Sequence, residues 1–182
     1  MMERIRMVFS GSGGQGVITA AIIIAEAAVI YENLVAVQSQ SYGAQARGGA
    51  TKADIIISDS EINFPKVNHP NLLVCLTQEA YTQFSPTIRP GGFLITDTHY
   101  VKTHNKVAAR QREISMYESV MDTIGKPVVY NICMLGTVIS MSDIVRPESI
   151  MKVLESRIPA NLVDINKKAL ELGLKLAEPF KE

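Results

Sequence analysis

A glycine-rich segment between a short apolar run and a longer one constrains this chain more than any other feature. The segment Gly11-Ser-Gly-Gly-Gln-Gly16 follows the strand-like stretch Arg4–Phe9 and leads directly into the apolar stretch Val17–Ile30. The spacing G-x-G-x-x-G, placed between a strand and a helix, permits a tight turn, close approach of a ligand and tight helix packing. Free N–H groups at the start of the helix favour an anion, most often a phosphate. The alternative is that the glycines serve only the strand-to-helix turn.

The order of the remaining apolar segments predicts the fold class. Strands are predicted at Leu34–Gln38, Thr51–Ser58, Asn71–Leu76, Phe93–Thr96 and Pro127–Tyr130, and helices at Gln78–Phe84, Gln111–Ile124, Asn131–Ser140 and Pro147–Arg157. Val101–Ala109 is ambiguous and could be an edge strand. A last amphipathic helix, with Asn161 as its N-cap, is expected to pack on the sheet. Continuous apolar strands that alternate with helices indicate an α/β, Rossmann-like three-layer domain with a mostly parallel sheet, formed by residues 1–182 as a single domain.

Charge and composition exclude several classes of function. Lys and Arg number 18, as do Asp and Glu, which argues against a nucleic-acid-binding protein. The run Val17–Ile30 contains Glu26 and is shorter than the roughly 20 residues that a bilayer requires, so no membrane span is expected. Cys75 and Cys133 form no C-x-x-C pair, and the three histidines have no metal-ligand spacing. We therefore expect core thiols in a reduced, cytoplasmic protein, and no metal site.

The sequence also argues against NAD binding. A dinucleotide site places Asp or Glu about 20 residues beyond the glycine loop, to hold the ribose hydroxyls. No acidic residue occurs between Asn33 and Ala53, whereas Arg47 and nearby Lys52 suit a ligand with an additional phosphate. NADP and the 3′-phospho-ADP end of coenzyme A both have such a phosphate. The chain has no G-x-S-x-G or Gly-Asp-Gly motif, so it is expected to bind a ligand without catalytic residues of its own.

The helix predicted at Val17–Ile30 is apolar on all sides apart from Glu26. A helix on one face of a sheet needs a narrower apolar stripe than this. Either the domain covers the helix completely or part of it faces another subunit. Both interpretations remain open at the level of sequence.

Three blocks of sequence resemble the gamma subunit of 2-oxoacid:ferredoxin oxidoreductases, most closely the 2-oxoglutarate type. The blocks are Gly11-Ser-Gly-Gly-Gln-Gly-Val17, Ser41-Tyr-Gly-Ala-Gln-Ala-Arg-Gly-Gly49, and Arg89-Pro-Gly-Gly-Phe93 with Asn131-Ile-Cys-Met-Leu-Gly136 later. Ala44 and Gln45 depart from the Pro-Glu pair of the 2-oxoglutarate type, which puts the substrate in doubt rather than the family.

The resemblance implies a hetero-oligomeric enzyme that converts a 2-oxoacid to acyl-CoA and carbon dioxide while reducing ferredoxin or flavodoxin. It implies thiamine diphosphate and magnesium on alpha and beta subunits, and iron–sulfur clusters on a ferredoxin-like delta subunit. This chain is implied to help position coenzyme A, the co-substrate, and to be inactive when isolated. No catalytic residue is expected on it.

The residues that would bind coenzyme A lie in two loops. They are Gly11, Ser12, Gly13, Gly14, Gln15 and Gly16 in the first, and Ser41, Tyr42, Arg47, Gly48 and Gly49 in the second. Arg47 could pair with a phosphate or form a salt bridge at a subunit interface, and Tyr42 could stack on adenine or simply pack. The pair Gly48 and Gly49 could equally form a tight turn before a strand.

Three other interpretations remain. The smaller subunit of indolepyruvate:ferredoxin oxidoreductase shares the G-x-G-G-Q-G start, but its second loop is expected to be closer to His-Gly-Met-x-Gln-Arg-Gly-Gly. A free-standing NADP-dependent oxidoreductase would bind NADPH and turn over a substrate alone. A nucleotide-sensing domain would bind its ligand without partner subunits.

Overall fold

One six-stranded sheet organises the part of the chain that the structure describes, which in this computed structural model is residues 3–42, 49–104 and 106–181. The strands are β1 (Ile5–Gly11), β2 (Val35–Ser41), β3 (Thr51–Ser58), β4 (Leu72–Cys75), β5 (Phe93–Asp97) and β6 (Arg110–Ile114). Their order is β2-β3-β1-β4-β5-β6. β1, β4, β5 and β6 pair in parallel, and β3 is antiparallel to both β1 and β2. Five strands therefore run in one direction, which confirms the predicted mostly parallel sheet.

Six α-helices accompany the sheet within the described residues. They are α1 (Val17–Tyr31), α2 (Gln78–Phe84), α3 (Met116–Thr123), α4 (Tyr130–Ser142), α5 (Pro147–Arg157) and α6 (Ala160–Ala177). Short 3-10 turns lie at Ser85–Thr87, Pro127–Val129 and Glu178–Phe180. None of these helices is both long and apolar enough to span a bilayer.

The two faces of the sheet are buried by different elements, because side chains alternate along each strand. Met7 and Phe9 belong to a large core cluster that includes residues of α1 and of α3 to α6. Val8, between them, belongs to a smaller cluster with α2 and the loop residue Val67. The result is the predicted three-layer arrangement, with most of the helical mass on one face.

Helix α1 is largely covered by the domain itself. It packs against β1, β2 and β3 on one side and against α4 and α5 on the other. Glu26, the one charge in the helix, is hydrogen-bonded by the Nε of Arg157 at 2.7 Å. Exposure of large apolar side chains is confined to the carboxyl end, where Val29 is 49% and Ile30 57% exposed. The domain therefore covers the middle turns of this helix but not its carboxyl end, so complete coverage is not observed and contact of that end with another subunit stays a prediction.

Helix α6 packs mainly against α4, not on the sheet as predicted. The two helices approach closely because each has a glycine at the crossing. A Cβ atom on Gly173 would lie 2.0 Å from the carbonyl oxygen of Cys133, and one on Gly136 would lie 2.4 Å from that of Leu170. The predicted N-cap was also wrong, since Asn161 lies inside the helix and Pro159 occupies the N-cap position.

Two further predictions were wrong for reasons of tertiary structure. The segment predicted as one helix, Gln111–Ile124, contains most of the edge strand β6 followed by α3. The ambiguous segment Val101–Ala109 forms no strand in its described residues. β6 lies beside β5, where the guanidinium groups of Arg110 and Arg112 lie over the Phe93 ring, at 5.2 and 5.6 Å from its centroid. Pro127–Tyr130, predicted as a strand, is a 3-10 turn that leads into α4.

Candidate functional site

The glycine loop connects β1 to α1 at the edge of the sheet where the parallel strands end. The Gln15 N–H donates to the Ser12 carbonyl oxygen at 3.2 Å, which closes a turn with Gly13 and Gly14 at its tip. Both tip glycines are exposed. The loop therefore presents backbone, free of side chains, at the position where α/β folds usually bind their ligands.

The side chain of Gln15 braces the loop from inside. Its Oε1 accepts a hydrogen bond from the Ser12 N–H at 2.8 Å, and its Nε2 donates to the carbonyl oxygen of Leu76 at 3.0 Å. A Cβ atom on Gly11 would lie 2.5 Å from that Oε1 and 3.2 Å from the Leu76 Cβ, so glycine is the residue that fits there. Gln15 thus attaches the loop to the end of β4. It also accepts the hydrogen bond of one loop N–H group, that of Ser12.

Gly16 has a different reason to be glycine. It is the N-cap of α1 and has a φ of 73°, in the left-handed region that other residues rarely adopt. A Cβ atom there would lie 2.7 Å from the Nδ2 of Asn131, which donates to the Gly16 carbonyl oxygen at 3.3 Å. No side chain caps the helix, and its first turn contains no acidic residue. The first N–H groups and the positive end of the helix dipole are therefore offered to a ligand.

Gly13 and Gly14 differ from Gly11 and Gly16, because none of the residues that the structure describes requires glycine at either position. Neither has a positive φ. Among the described residues, a Cβ atom on Gly14 would meet nothing within 4 Å, and one on Gly13 would meet only the Thr51 Oγ1, at 4.0 Å. Other residues would fit at both positions, and glycine costs conformational entropy relative to alanine.

The second predicted loop starts and ends at the same edge of the sheet. Ser41, the last residue of β2, pairs with Lys52, and Gly11 pairs with Thr51 at the start of β3. Tyr42 is 70% exposed, and its hydroxyl oxygen accepts from the Nε2 of Gln40 at 3.2 Å.

Three further residues of that loop were predicted to bind the ligand: Arg47, Gly48 and Gly49. Gly49 is half-buried just before β3. Arg47 and Gly48 lie outside the described residues, as do Ala44 and Gln45. The structure therefore places both ends of the second loop beside the glycine loop, as the prediction requires.

Lys52 is not available to a ligand phosphate. Its Nζ lies 3.0 Å from the Asp54 Oδ1 and donates to the Val67 carbonyl oxygen at 3.2 Å. Asp54 is buried, and its other carboxylate oxygen accepts from the Val67 N–H at 3.1 Å. Of the two cations that the sequence offers for an additional phosphate, Lys52 is therefore committed within the fold, and Arg47 lies outside the described residues.

An apolar cavity of about 370 Å³ borders the glycine loop. Its walls come from the loop, the start of α1, the 3-10 turn before α4, and the junction of α5 and α6. The lining residues are Gly14, Gln15, Gly16, Thr19, Ile23, Pro127, Val128, Val129, Asn131, Ile132, Leu154, Ile158, Leu162, Ile165 and Asn166. Sequence reasoning missed this cavity because its walls come from segments far apart in the chain, although Asn131 stands in the third block of the family resemblance.

Asp97, at the end of β5, is a structural residue. Its buried carboxylate accepts hydrogen bonds from the N–H groups of His99 and Tyr117 at 2.9 and 2.8 Å, and from the Tyr130 hydroxyl at 2.8 Å. Burial, reinforced by the negative charge of Asp97, raises the pKa of Tyr130 far above its ordinary range. A turn follows Asp97, and the hydrogen bonds of its carboxylate connect the sheet to the starts of α3 and α4.

Reactive groups are scarce among the described residues. Cys75 and Cys133 are buried free thiols, as predicted, and burial raises the pKa of each to about 12. Within the three described ranges, no three His, Cys, Asp or Glu side chains are grouped so that they could hold a metal ion. At the glycine loop the described residues present backbone N–H groups, which are the kind of donor that suits an anion.

The fold and the loop define an α/β domain that presents backbone N–H groups at the carboxyl edge of its sheet. Residues 6–176 match the pyruvate ferredoxin/flavodoxin oxidoreductase family, so the chain belongs to that family. This confirms the resemblance that the three sequence blocks indicate.

Known relatives extend this result over the whole chain. The 2-oxoglutarate synthase subunit KorC of Methanocaldococcus jannaschii is 39% identical over 180 residues, which cover 98% of this chain and 95% of that protein. The KorC of Methanothermobacter marburgensis is 34% identical, with 97% of each chain covered.

Solved structures agree with these relatives. The gamma subunit of a keto/oxoacid ferredoxin oxidoreductase from Geobacter sulfurreducens has a TM-score of 0.90 and 36% identity, with all of both chains covered. A 2-oxoglutarate:ferredoxin oxidoreductase from Magnetococcus marinus, solved with 2-oxoglutarate, coenzyme A and succinyl-CoA bound, has a TM-score of 0.85 at 18% identity. The match covers 98% of this chain and 32% of that one, and it shows the shared fold.

Proposed function

We propose that this chain is the gamma subunit of a 2-oxoglutarate:ferredoxin oxidoreductase and that its glycine loop docks coenzyme A. The substrate assignment is supported by the KorC relatives, whose names specify 2-oxoglutarate synthase. In this proposal residues 1–182 form one gamma-type domain. The alpha and beta subunits hold thiamine diphosphate and magnesium, and a delta subunit holds the iron–sulfur clusters. Two buried free thiols suit the reducing cytoplasm.

The observation that carries the proposal is that no residue in the described part of the chain requires glycine at positions 13 and 14. A Cβ atom fits at both positions, and neither has a positive φ. A methyl group at either position would instead stand between the loop N–H groups and any anion above them. Two exposed glycines at the tip of a turn, followed by an uncapped helix start, suit the pyrophosphate of coenzyme A.

The surroundings of the loop suit the other parts of coenzyme A. The apolar cavity beside Gly14 and Gly16 could hold part of the uncharged pantetheine arm, and the side chains of Asn131 and Asn166 in its wall could bond the amides of that arm. Arg47 is assigned to the 3′-phosphate, since a guanidinium group can form two parallel bonds to it. Exposed Tyr42 is assigned to stacking against the adenine.

The contribution to catalysis is positioning. Thiamine-dependent chemistry takes place on other subunits, and this chain holds the coenzyme A thiol near the acyl intermediate. Binding in the correct orientation replaces a bimolecular encounter with an intramolecular one, which lowers the barrier of the acyl transfer.

The experiment that tests the proposal uses the reconstituted complex of all subunits. Arg47→Ala should raise the KM for coenzyme A by about tenfold to a hundredfold, since a hydrogen bond to a charged group contributes about 1.5–3 kcal/mol. Arg47→Lys, which retains the charge, is the matched control and should lose less. The same preparation should retain its KM for the 2-oxoacid. An unchanged KM for coenzyme A with full activity would assign Arg47 to a structural role.

The isolated chain separates this function from the alternatives. It should oxidise no 2-oxoacid and should not turn over NADPH. Turnover by the lone chain would refute the assignment as a subunit and favour a free-standing oxidoreductase.

A further inference from the structure

A cationic groove lies at the opposite edge of the sheet from the glycine loop. It has a volume of about 610 Å³, and its lining includes Arg6, Lys66, Arg89, His69 and Phe64. Arg6 is near the start of β1, whereas the glycine loop follows the end of that strand. At about 3.3 Å per residue, Arg6 and Gly11 are roughly 17 Å apart, so the groove is separate from the proposed coenzyme A site.

Two of the three cations in this groove, Arg6 and Lys66, have side chains without a partner in the described part of the chain. The backbone N–H of Arg6 donates to the Asn71 Oδ1 at 2.9 Å, but its guanidinium group has no hydrogen-bond or ion-pair partner among the described residues. The same is true of the Lys66 ammonium group. Arg89 pairs with Glu3 at 3.2 Å, and both of these side chains are exposed. No carboxylate is among the residues that line the groove.

Burying these cations costs free energy unless a group from another molecule pairs with them. Arg6 is half-buried, and removing a charge from water without a partner is unfavourable. The chain as a whole has a net charge of zero, so three cations without an acidic neighbour in the lining mark a local excess. A half-buried guanidinium group is also the side chain best suited to pairing with a carboxylate from another protein.

Phe64 indicates that the occupant is a protein segment. Its side chain is 61% exposed at the groove wall, and exposed aromatic residues and arginines are enriched in protein–protein interfaces. The groove is open along the surface, with cations contributed by a strand, the 64–69 loop and the turn at Arg89. That spread suits several carboxylates along a chain better than one compact anion.

We propose that the groove docks an acidic segment of a partner subunit in the assembled oxidoreductase. The proposal rests on the proposed function, since it requires that this chain assembles with other subunits. To the proposed function it adds which part of the surface contacts the partner subunit and which sign of charge the partner segment has. Electrostatic complementarity of this kind sets partner choice and speeds association.

The test measures binding of the full chain to two probes: the purified alpha–beta complex and the purified delta subunit. The Arg6→Gln/Lys66→Gln variant should raise the Kd for one of the two by about tenfold at low salt. The dependence of that Kd on KCl concentration should become weaker, because two of the charges that respond to salt are gone. Retained thermal stability and retained coenzyme A binding in the reconstituted complex would show that the variant is folded.

A control variant separates the groove from a general effect of charge. Lys168→Gln/Lys175→Gln removes two exposed positive charges from α6 and should leave both dissociation constants unchanged. Equal weakening by both double variants, or no change in either Kd for the Arg6→Gln/Lys66→Gln variant, would overturn the groove proposal while leaving the proposed function intact. Failure of the unmodified chain to bind either probe would overturn both.

Discussion

The glycine loop allows a prediction in which two neighbouring glycine-to-alanine changes have opposite effects on stability. Gly14→Ala places a methyl group where nothing lies within 4 Å, at a position without a positive φ. The folded state tolerates it, and the unfolded chain loses conformational freedom. We therefore expect the free energy of unfolding to rise by about 0.4–1 kcal/mol.

Gly16→Ala should destabilise the protein. At a φ of 73°, a Cβ atom costs about 1–2 kcal/mol. The new atom would also lie 2.7 Å from the Asn131 Nδ2, which would displace that side chain and break its bond to the Gly16 carbonyl oxygen, a further loss of about 0.5–1.5 kcal/mol. The sum is about 1.5–3.5 kcal/mol of lost stability. Equilibrium unfolding of the isolated chain in urea measures both effects.

Measurements of coenzyme A binding should separate the structural function of the loop from its proposed function in ligand binding. In the reconstituted complex, Gly14→Ala should weaken coenzyme A binding by about tenfold, because the methyl group keeps the phosphate away from the loop N–H groups. The larger Gly14→Val should weaken it further, without unfolding the loop. A Gly14→Ala protein that is less stable than the parent would show that this glycine serves the fold. A variant of normal stability with unchanged coenzyme A affinity would show that no ligand approaches here, and would refute the reasoning.

Three more measurements test the fold that holds the loop. Gly173→Ala would favour an isolated helix, but here it should lower the free energy of unfolding by about 1–3 kcal/mol, because the added Cβ would overlap the Cys133 carbonyl oxygen. As a control, Glu171→Ala on the same helix should have little effect on the free energy of unfolding. Asp97→Ala should lower it by about 3 kcal/mol, since it leaves the Tyr130 hydroxyl buried without its acceptor, and an unchanged urea midpoint would contradict this. Burial raises the pKa of the Cys133 thiol from its ordinary 9.0 to about 12, so unfolded thiols ionise first as the pH rises above about 9. Stability should then fall by up to about 1.4 kcal/mol per pH unit per buried thiol, and Cys133→Ala should reduce that slope in urea titrations at high pH.

Local sequence signals predicted the elements that bring the site to the sheet edge. The strand, glycine loop and helix from β1 to α1 were correct because glycine spacing and a long apolar run are short-range features. β3, α2 and α5 were predicted with the bounds that the structure shows. In each of these the turn residues and the apolar pattern agree with the tertiary environment.

The errors arose where distant neighbours decide the structure. Arg110–Ile114 is a polar edge strand with no apolar alternation to mark it, and its pairing with β5 gives it its form. Pro127 and the two valines after it have strand-like composition, but they lead into α4, whose first residue, Tyr130, is bonded to Asp97. Pairing and capping partners of this kind lie many residues away, so a window of sequence does not contain them.

The sequence by itself determined an α/β fold, the family, and a glycine loop suited to an anion. The tertiary structure decided which of these glycines the fold requires. Gly11 and Gly16 serve the fold because Gln15 and Asn131 lie against them, whereas no described residue comes closer than 4.0 Å to a Cβ atom built on Gly13 or Gly14. The structure also showed that Lys52 is held by Asp54 and that the cations of the groove have no acidic residue in its lining. The physical reason is that spacing along the chain fixes local conformation, while only packing in three dimensions shows which groups already have partners.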